Sequence, residues 1–457
     1  MEYLSRIADG ILQDNLEASG AVLVEGPKWC GKTTTCSQKA NSSISLQDVD
    51  MRDEYLATAA SKPSLLLKGD TPRLIDEWQD APVIWDAVRT ICDKRGGVPG
   101  QFILTGSNRV KKEETRHSGT GRIAKMKMLP MSLWESREST GLVSVKELFS
   151  NPEYDIDGKT SKLSVEDLIL AACRGGWPAS LIPVKNKVRL LVAKNYLKSV
   201  CSEDISRIDG VQRDEKTAAM IMRSYARNIS TVAKKTSMLS DVTSSGEVSC
   251  SSDTFDDYVK ALEKLFVIQD IGAWCPAIRS KSNIRSTPKR SFCDPSVAVA
   301  ALGLSPDILM TQLKTFGFLF EQMCVRDLRA YTMDQDSHIS YYRDRYGLEA
   351  DIVLHLSDGR YALIECKLGS REIEEGAAHL LELKQLIKKH NESERQNPLR
   401  EPDHNRWPNG LHKTGRSQDN TSGMLERLNV EVMCVQKKHS RLFVIFYSQF
   451  CRLEKLS

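Results

Sequence analysis

Three short apolar runs in the first third of the chain have the length and bounds of strands. Each run is rich in branched apolar residues and is followed by glycine or by polar residues. This is the pattern of strands that are buried on both faces of a parallel sheet. The runs are Ala21–Val24, Arg73–Glu77 and Gln101–Asn108. We therefore predict an α/β fold for this part of the chain.

The middle of the chain has the apolar spacing of helices. Ser164 is predicted to cap a helix that ends at Gly175, and further helices are predicted at Val188–Val200, Thr217–Ile229, Thr231–Leu239 and Phe255–Val267. The last two flank a serine-rich break and form a helix–turn–helix-like sequence. This break is looser than the short turn of a DNA-reading motif, so the pattern by itself does not establish DNA binding.

The last third returns to a mixed pattern of helices and strands. An amphipathic helix is predicted at Phe316–Leu328, followed by strands at Ile339–Arg343, Glu349–Leu354 and Tyr361–Lys367 and a helix at Ile373–Lys389. Residues 391–423 are polar and are predicted to form a loop or disordered insertion. Apolar runs then resume at Val430–Val435 and Leu442–Tyr447, each long enough for one strand.

Length and composition indicate an ordinary globular protein of several domains. The chain has 457 residues, of which 40% are hydrophobic and 27% charged, and this excludes collagen, coiled coil and disorder of the whole chain. We predict three domains, at 1–150, 151–300 and 301–457. With 64 Lys and Arg against 60 Asp and Glu, the net charge is +4. This balance is too small to indicate a nucleic-acid binder, so any basic surface must be local.

The first ten residues and the cysteines suggest a cytoplasmic protein. The beginning MEYLSRIADG lacks the apolar core of a signal peptide, and no stretch approaches the ~18 apolar residues that span a bilayer. The 12 cysteines include no CxxC pair, which argues against zinc ribbons and disulfide frameworks. We expect reduced thiols and no membrane partner.

A phosphate-binding sequence follows the first predicted strand directly. Residues 26–33 read G-x-x-x-x-G-K-T between a strand and a helix, which is the context of a P-loop, or Walker A motif. The two glycines allow backbone N–H groups to point at phosphate oxygens. Lys32 is predicted to reach the β- and γ-phosphates, and Thr33 to hold Mg²⁺. The residues predicted to bind ATP or GTP here are Gly26, Pro27, Lys28, Trp29, Cys30, Gly31, Lys32, Thr33 and Thr34.

The other two strands end in side chains that suit nucleotide hydrolysis. Asp76 is predicted to hold Mg²⁺ through water, and Glu77 to polarise the attacking water. Ser107 or Asn108 is predicted to touch the γ-phosphate or that water. Acids often end strands because they are solvated there, but three such strand ends in this order favour an NTPase.

Arg122 is a candidate arginine finger. It ends the polar stretch 109–122 in the sequence Gly-Thr-Gly-Arg, and such an arginine can neutralise charge in the transition state. An ordinary surface-loop arginine is an equally good interpretation. A finger acting within one chain and a finger donated by a neighbouring subunit both remain open.

Five segments together resemble one protein family. GPKWCGKTT, LIDEWQDAP, FILTGSN, TGRIAKMKMLPMSLWE and RGGWPASL are similar, in this order, to the prokaryotic AAA-type ATPases that carry a C-terminal domain of unknown function. The resemblance implies a RecA/AAA-like sheet with Lys32, Thr33, Asp76 and Glu77 in their usual roles. It also implies a winged-helix-like middle and a nuclease-like α/β part. It implies no substrate.

A second set of chemical residues lies in the last third. Glu365 and Lys367 point the same way from one predicted strand, and Asp351 lies across the hairpin from them. With Glu321, this order resembles the PD-(D/E)xK nucleases, and the resemblance implies that Asp351 and Glu365 hold a divalent cation while Lys367 steadies the attacking water. Glu321 would be an accessory acid. Alternating charge on an exposed hairpin is the ordinary alternative, and a nuclease-like fold that only binds is the more frequent outcome.

One segment is locally basic. Residues 279–290 contain five Lys or Arg and no acid, so contacts with nucleic-acid phosphates would suit them. A solvated loop is slightly favoured, since no aromatic residue is interleaved for base stacking.

These observations predict an ATPase that couples Mg²⁺-dependent ATP hydrolysis to rearrangement of the C-terminal parts. The first hypothesis is a protein that acts on DNA. The alternative is a nucleotide-gated regulatory or scaffold protein that binds a protein partner or its own copies and cuts nothing. A small-molecule kinase is less favoured, because Glu77 beside Asp76 suits activation of water.

Overall fold

The computed structural model describes residues 2–107, 119–151, 153–154, 159, 161, 163–182, 185–244, 246–275, 286–344, 347–368, 370–396, 429–437 and 440–448. The strands are β1 Ala21–Glu25, β2 Ser42–Ser45, β3 Arg73–Asp76, β4 Phe102–Gly106, β5 Ile123–Lys127, β6 Ser337–Arg343, β7 Glu349–Leu356, β8 Tyr361–Cys366, β9 Asn429–Lys437 and β10 Ser440–Ser448. The helices are α1 Ile7–Ala18, α2 Lys32–Ser37, α3 Arg52–Ser61, α4 Val83–Lys94, α5 Val145–Ser150, α6 Val165–Arg174, α7 Asn186–Ser199, α8 Ile205–Arg207, α9 Glu215–Arg227, α10 Lys235–Thr243, α11 Ser252–Lys264, α12 Pro295–Leu302, α13 Pro306–Thr311, α14 Leu313–Tyr331 and α15 Ser370–Gln396. Among these helices, none is long and apolar enough to cross a bilayer.

The first part is a five-stranded parallel sheet with the order β2-β3-β4-β1-β5. β4 lies between β1 and β3, so the P-loop strand and the acidic strand are not neighbours. Since all five strands run the same way, the residues that follow β1, β3 and β4 meet at one edge. The three predicted strands are present, and the chain has an α/β P-loop fold.

Both faces of this sheet are covered, which explains the uninterrupted apolar runs. On β1, Ala21 and Leu23 join the core under α3 and α4. Val22 and Val24 join the core under α1 and α2. Successive strand residues point to opposite faces, so a strand covered on both sides must be apolar at every position.

The middle part is helical and contains a two-stranded ribbon. Ile268 pairs with Phe292 and Ile271 with Lys289 across this ribbon, which follows α9, α10 and α11. α11 begins at Ser252, earlier than predicted, because the Ser251 hydroxyl caps it by accepting a hydrogen bond from the Thr254 N–H. The domain boundary predicted between residues 300 and 301 falls inside α12, so that position is not a linker.

The last part is a five-stranded sheet with the order β6-β7-β8-β10-β9. β8 and β10 are parallel and the other neighbours are antiparallel. α15 covers one face through Leu380, Leu383 and Ile387, and α14 covers the other. α15 continues to Gln396, so the loop predicted from residue 391 is wrong for residues 391–396. Residues 397–423 lie outside the described residues.

A buried polar junction ties the three parts together at the sequence RGGWP. The Met131 N–H donates to the Gly176 carbonyl over 2.6 Å, and a Cβ at Gly176 would lie 2.1 Å from the Met131 carbonyl oxygen. The Gly176 N–H donates to Asp294 over 2.9 Å, and Asp294 pairs with Arg326 over 3.0 Å. Only glycine allows the two backbones to approach this closely.

Candidate nucleotide-binding site

The lysine of the P-loop is buried and hydrogen-bonded to carbonyls of the same loop. Lys32, the first residue of α2, is buried, and its ammonium donates to the carbonyls of Gly26 over 3.0 Å and Pro27 over 2.9 Å. Gly31 has φ +100°, which favours glycine, and a Cβ at Gly26 would lie 2.1 Å from the Met128 carbonyl oxygen. The loop therefore needs both glycines and presents Lys32 at the start of a helix.

The other loop residues divide into buried and exposed groups. Pro27 and Cys30 are buried, whereas Trp29, Thr33 and Thr34 are exposed at the mouth of the loop. The exposed residues are placed where a ligand would reach them.

Thr33 and Asp76, both predicted to hold Mg²⁺, lie side by side. The Thr33 hydroxyl donates to Asp76 Oδ1 over 2.8 Å, and the Thr105 hydroxyl donates to the same oxygen over 2.5 Å. A hydroxyl and a carboxylate at one point are ligands that Mg²⁺ accepts. The residues present fit the cation, and Thr105 is a positioning residue that the sequence did not suggest.

Glu77 is held in a defined orientation beside Asp76. Its φ is +54°, a conformation that is uncommon for residues with a Cβ and clusters at functional sites. Ser107 Oγ donates to Glu77 Oε1 over 2.8 Å, and Gln79 Nε2 donates to Oε2. Gln79 was missed by the sequence analysis, although it lies two residues after Glu77. Asn108, the other predicted γ-phosphate contact, lies outside the described residues.

A cleft of about 620 Å³ opens between the first and middle parts. Lys28, Glu77 and Ser107 line it from the first part, and Asp204 and Arg207 from the middle part. A volume of this size suits a small-molecule ligand. The predicted catalytic acid therefore faces a space that both parts enclose.

The P-loop itself contacts the middle part. Lys28 Nζ lies 2.6 Å from Asp204 Oδ1, and the rings of Trp29 and Tyr196 meet edge to face with centroids 5.7 Å apart. Asp204 ends the π-helical turn Val200–Asp204, an irregularity that is frequent at functional sites. No local sequence signal predicts these partners, because they follow the loop by more than 160 residues.

Comparison with known proteins identifies three regions of the chain. The AAA domain family matches residues 18–136. Two families described as domains of unknown function, DUF8612 and DUF4143, match residues 165–308 and 316–405. These matches fit a prokaryotic AAA-type ATPase with a C-terminal domain of unknown function.

A solved structure similar to this AAA-type ATPase is a signal transduction ATPase with numerous domains and a tetratricopeptide repeat sensor, from Pyrococcus horikoshii. The identity is 11% and the TM-score 0.20, over 71% of this chain and 48% of that one. The ATPase thus spans about half the length of that protein. No curated protein matches its sequence.

Arg122 lies at the wrong edge of the ATPase sheet for a finger within the same chain. Its carbonyl accepts from the Ala21 N–H at the start of β1, whereas the P-loop follows the end of β1. Its guanidinium pairs with Asp93 over 2.6 Å. The side chain precedes β5 and so projects from the amino edge. The prediction of a finger in the same chain is wrong, and the subunit-donated alternative stays a prediction.

The second predicted set of residues comes together in the C-terminal part. Ile352 pairs with Ile364, which places Asp351 beside Glu365. Lys367 Nζ lies 2.5 Å from Glu365 Oε2 and 3.5 Å from Asp351 Oδ2. Glu365 is 1% and Asp351 9% exposed. The alternative of an exposed, solvated hairpin is therefore wrong.

Lys289 enters the same cluster, which the sequence analysis did not foresee. Its ammonium donates to Glu321 Oε1 over 2.7 Å and to the Asp351 carbonyl over 3.0 Å. The carboxylates of Glu321 and Asp351 raise the pKa of Lys289 against the effect of burial. Burial raises the pKa of Glu321 to about 8 and that of Glu365 to about 8.

The cluster does not fit the predicted divalent cation. The Lys289 ammonium lies between the carboxylates of Glu321 and Asp351. Among the described residues, no group of three His, Cys, Asp or Glu side chains is arranged to hold a metal. The roles predicted for Asp351 and Glu365 as metal ligands are therefore not supported by the geometry.

The same cluster also changes the interpretation of the basic segment 279–290. Lys289 is buried in the cluster, and Arg290 pairs with Asp270 over 2.6 Å. Neither is free to contact nucleic-acid phosphates. The other three basic residues of the segment, Arg279, Lys281 and Arg285, lie outside the described residues.

Proposed function

We propose that this ATPase is a nucleotide-gated switch that hydrolyses ATP at the P-loop and passes the nucleotide state to its middle part. The observation that carries the proposal is the ion pair between P-loop Lys28 and Asp204. Through this pair the loop that would bind the phosphates contacts the middle part beside the cleft.

The residues around the cleft have distinct tasks in hydrolysis. Lys32 and the loop N–H groups bind the phosphates, and Thr33 and Asp76 would hold Mg²⁺, which neutralises phosphate charge when bound. Glu77 accepts a proton from the attacking water. Ser107 and Gln79 keep the Glu77 carboxylate turned toward the cleft.

The Lys28–Asp204 pair offers a route for the switch. A triphosphate in the loop is a competing anion for Lys28, so its binding weakens the pair with Asp204. The nucleotide then favours the arrangement in which the middle part is released. A loop held by phosphate contacts and freed by hydrolysis is a common form of such a switch.

A regulatory role with a protein partner is favoured over action on DNA. In a helix–turn–helix pair the second helix enters the major groove, and here that helix is α11. Its exposed residues include Asp253, Asp257 and Glu263 with one lysine, Lys260. Carboxylates on this face repel DNA phosphates. Lys289 and Arg290 are committed to internal ion pairs as well.

Lys32→Ala is expected to weaken ATP binding by more than about 100-fold and to abolish turnover, because the main phosphate cation is lost. Titration calorimetry and phosphate release measure the two effects. Lys39→Ala, beyond the end of the same helix, serves as the control and should change neither. The proposal is refuted if the unmodified protein binds no ATP. Stimulation of turnover by duplex DNA would favour the nucleic-acid hypothesis instead.

Asp204→Asn is expected to tighten ATP binding roughly two- to tenfold, because Lys28 is released toward the phosphates. It should also reduce the nucleotide-dependent change in hydrogen exchange at residues 196–208. Asp334→Asn is a matched control, since Asp334 pairs with Lys146 across two parts over 3.4 Å but away from the cleft. If the nucleotide-dependent change in hydrogen exchange were the same in Asp204→Asn and in the unmodified protein, the Lys28–Asp204 pair would not be the route of the switch.

A further inference from the structure

The C-terminal sheet and α14 enclose a compact ionic cluster that the ATPase site does not use. Three carboxylates converge there, Glu321 from α14, Asp351 from β7 and Glu365 from β8. Two ammonium groups lie among them, Lys289 and Lys367. All three carboxylates are buried, so each needs a cation or a proton.

We propose that Lys289 is a built-in cation that occupies the metal position of this nuclease-like core. The core then cuts nothing, and the lysine braces the ribbon of the middle part against the C-terminal sheet.

The distances place the ammonium where a bound cation would have to lie. Lys289 Nζ is 2.7 Å from Glu321 Oε1, 3.0 Å from the Asp351 carbonyl and 3.8 Å from Asp351 Oδ1. A divalent cation needs several oxygens at about 2.0–2.6 Å, and these would include the same carboxylates. An ammonium and a metal ion cannot share them, because they compete for the same oxygens and repel each other.

The backbone keeps Lys289 in this place. Its N–H donates to the Ile271 carbonyl over 2.8 Å, and the Ile271 N–H donates back over 2.9 Å. The ammonium also lies 5.7 Å from the centre of the Tyr341 ring, a favourable cation–π distance. A lysine anchored at both its backbone and its head group does not swing out to admit a metal.

Asp351 and Glu365 also have cationic or N–H partners within the cluster. The Cys366 N–H donates to Asp351 Oδ2 over 2.9 Å, and Lys367 lies within 3.5 Å of both Asp351 and Glu365. Lys367 is therefore an ion-pair partner of the acids and is not left to orient a water. This inference does not rest on ATP turnover.

Binding of Mn²⁺ to the full chain without nucleotide tests the inference. Loss of the free Mn²⁺ signal in electron paramagnetic resonance reports binding. Mn²⁺ binding by the unmodified protein is expected to be unchanged by Asp351→Asn. Lys289→Ala is expected to gain one Mn²⁺ site, at least about tenfold tighter than any binding at this cluster in the unmodified protein. Asp351→Asn added to Lys289→Ala should remove this gained site.

Lys289→Arg is the matched control, because it keeps a cation and should gain no site. The inference is overturned if folded Lys289→Ala gains no Mn²⁺ site. It is also overturned if the unmodified protein binds Mn²⁺, or nicks DNA with Mn²⁺, in a way that Asp351→Asn abolishes. Should Lys289→Ala not fold, the comparison of the unmodified protein with Asp351→Asn decides the question by itself.

Discussion

Glu77→Gln is expected to lower ATP turnover by about 10²–10⁴-fold, the range found when a general base is removed. The amide keeps the size of the side chain and can still meet Ser107 and Gln79, so the local structure should persist. It cannot take a proton from the attacking water. ATP binding should change by less than about threefold, because Lys32, Thr33 and Asp76 are untouched.

Single-turnover phosphate release measures the chemical step, and calorimetry measures binding. Glu54→Gln is a suitable control, since Glu54 is an exposed residue of α3 away from the P-loop. Turnover within tenfold of the unmodified protein would show that another group activates water. Loss of binding together with turnover would point to a damaged loop instead.

Arg326→Met is expected to lower the free energy of unfolding by about 3–5 kcal/mol, the usual cost of removing one partner of a buried ion pair. Arg326 is 2% exposed and lies 3.0 Å from Asp294 and 2.7 Å from Asp327. These two carboxylates raise the pKa of Arg326 against the effect of burial. Methionine would leave both acids buried without their cation.

Urea unfolding followed by circular dichroism measures this loss. Arg343→Met is the matched control, because the pair between Arg343 and Glu349 is 3.6 Å long and about half exposed. Exposed pairs of this kind contribute about 0–1 kcal/mol. If the two substitutions cost the same, the junction around Arg326 does not stabilise the fold.

The nucleotide site was predictable because its signal is local. Asp76 and Glu77 lie at the end of one apolar strand. Lys32 and Thr33 follow another strand after the short loop 26–31. Parallel strands bring such ends to one edge of the sheet. Helix ends were less accurate, as α11 shows, because one capping serine moved the start by several residues. A cap is a single side chain, whereas the apolar spacing that predicts a helix extends over many.

The partners of the site were not predictable, since tertiary packing alone brings them in. Asp204 is 176 residues from Lys28, and Lys289 is 62 residues from Asp351. Lys289 was noticed only as part of a basic run, and a run of charge does not show whether a side chain is buried. The prediction of Arg122 as a finger in the same chain was wrong for a different reason. The glycine turn that contains Arg122 precedes β5, so it lies at the opposite edge of the sheet from the P-loop.

One apolar core runs without interruption from Leu168 in α6, through Phe316 in α14, to Ile364 in β8. Helices and sheet that share a core resist bending between them. A small tilt that a nucleotide caused at the Asp204 contact would therefore be carried through this core into the C-terminal strands. The exposed surface of the C-terminal sheet would then report the nucleotide state to a protein partner.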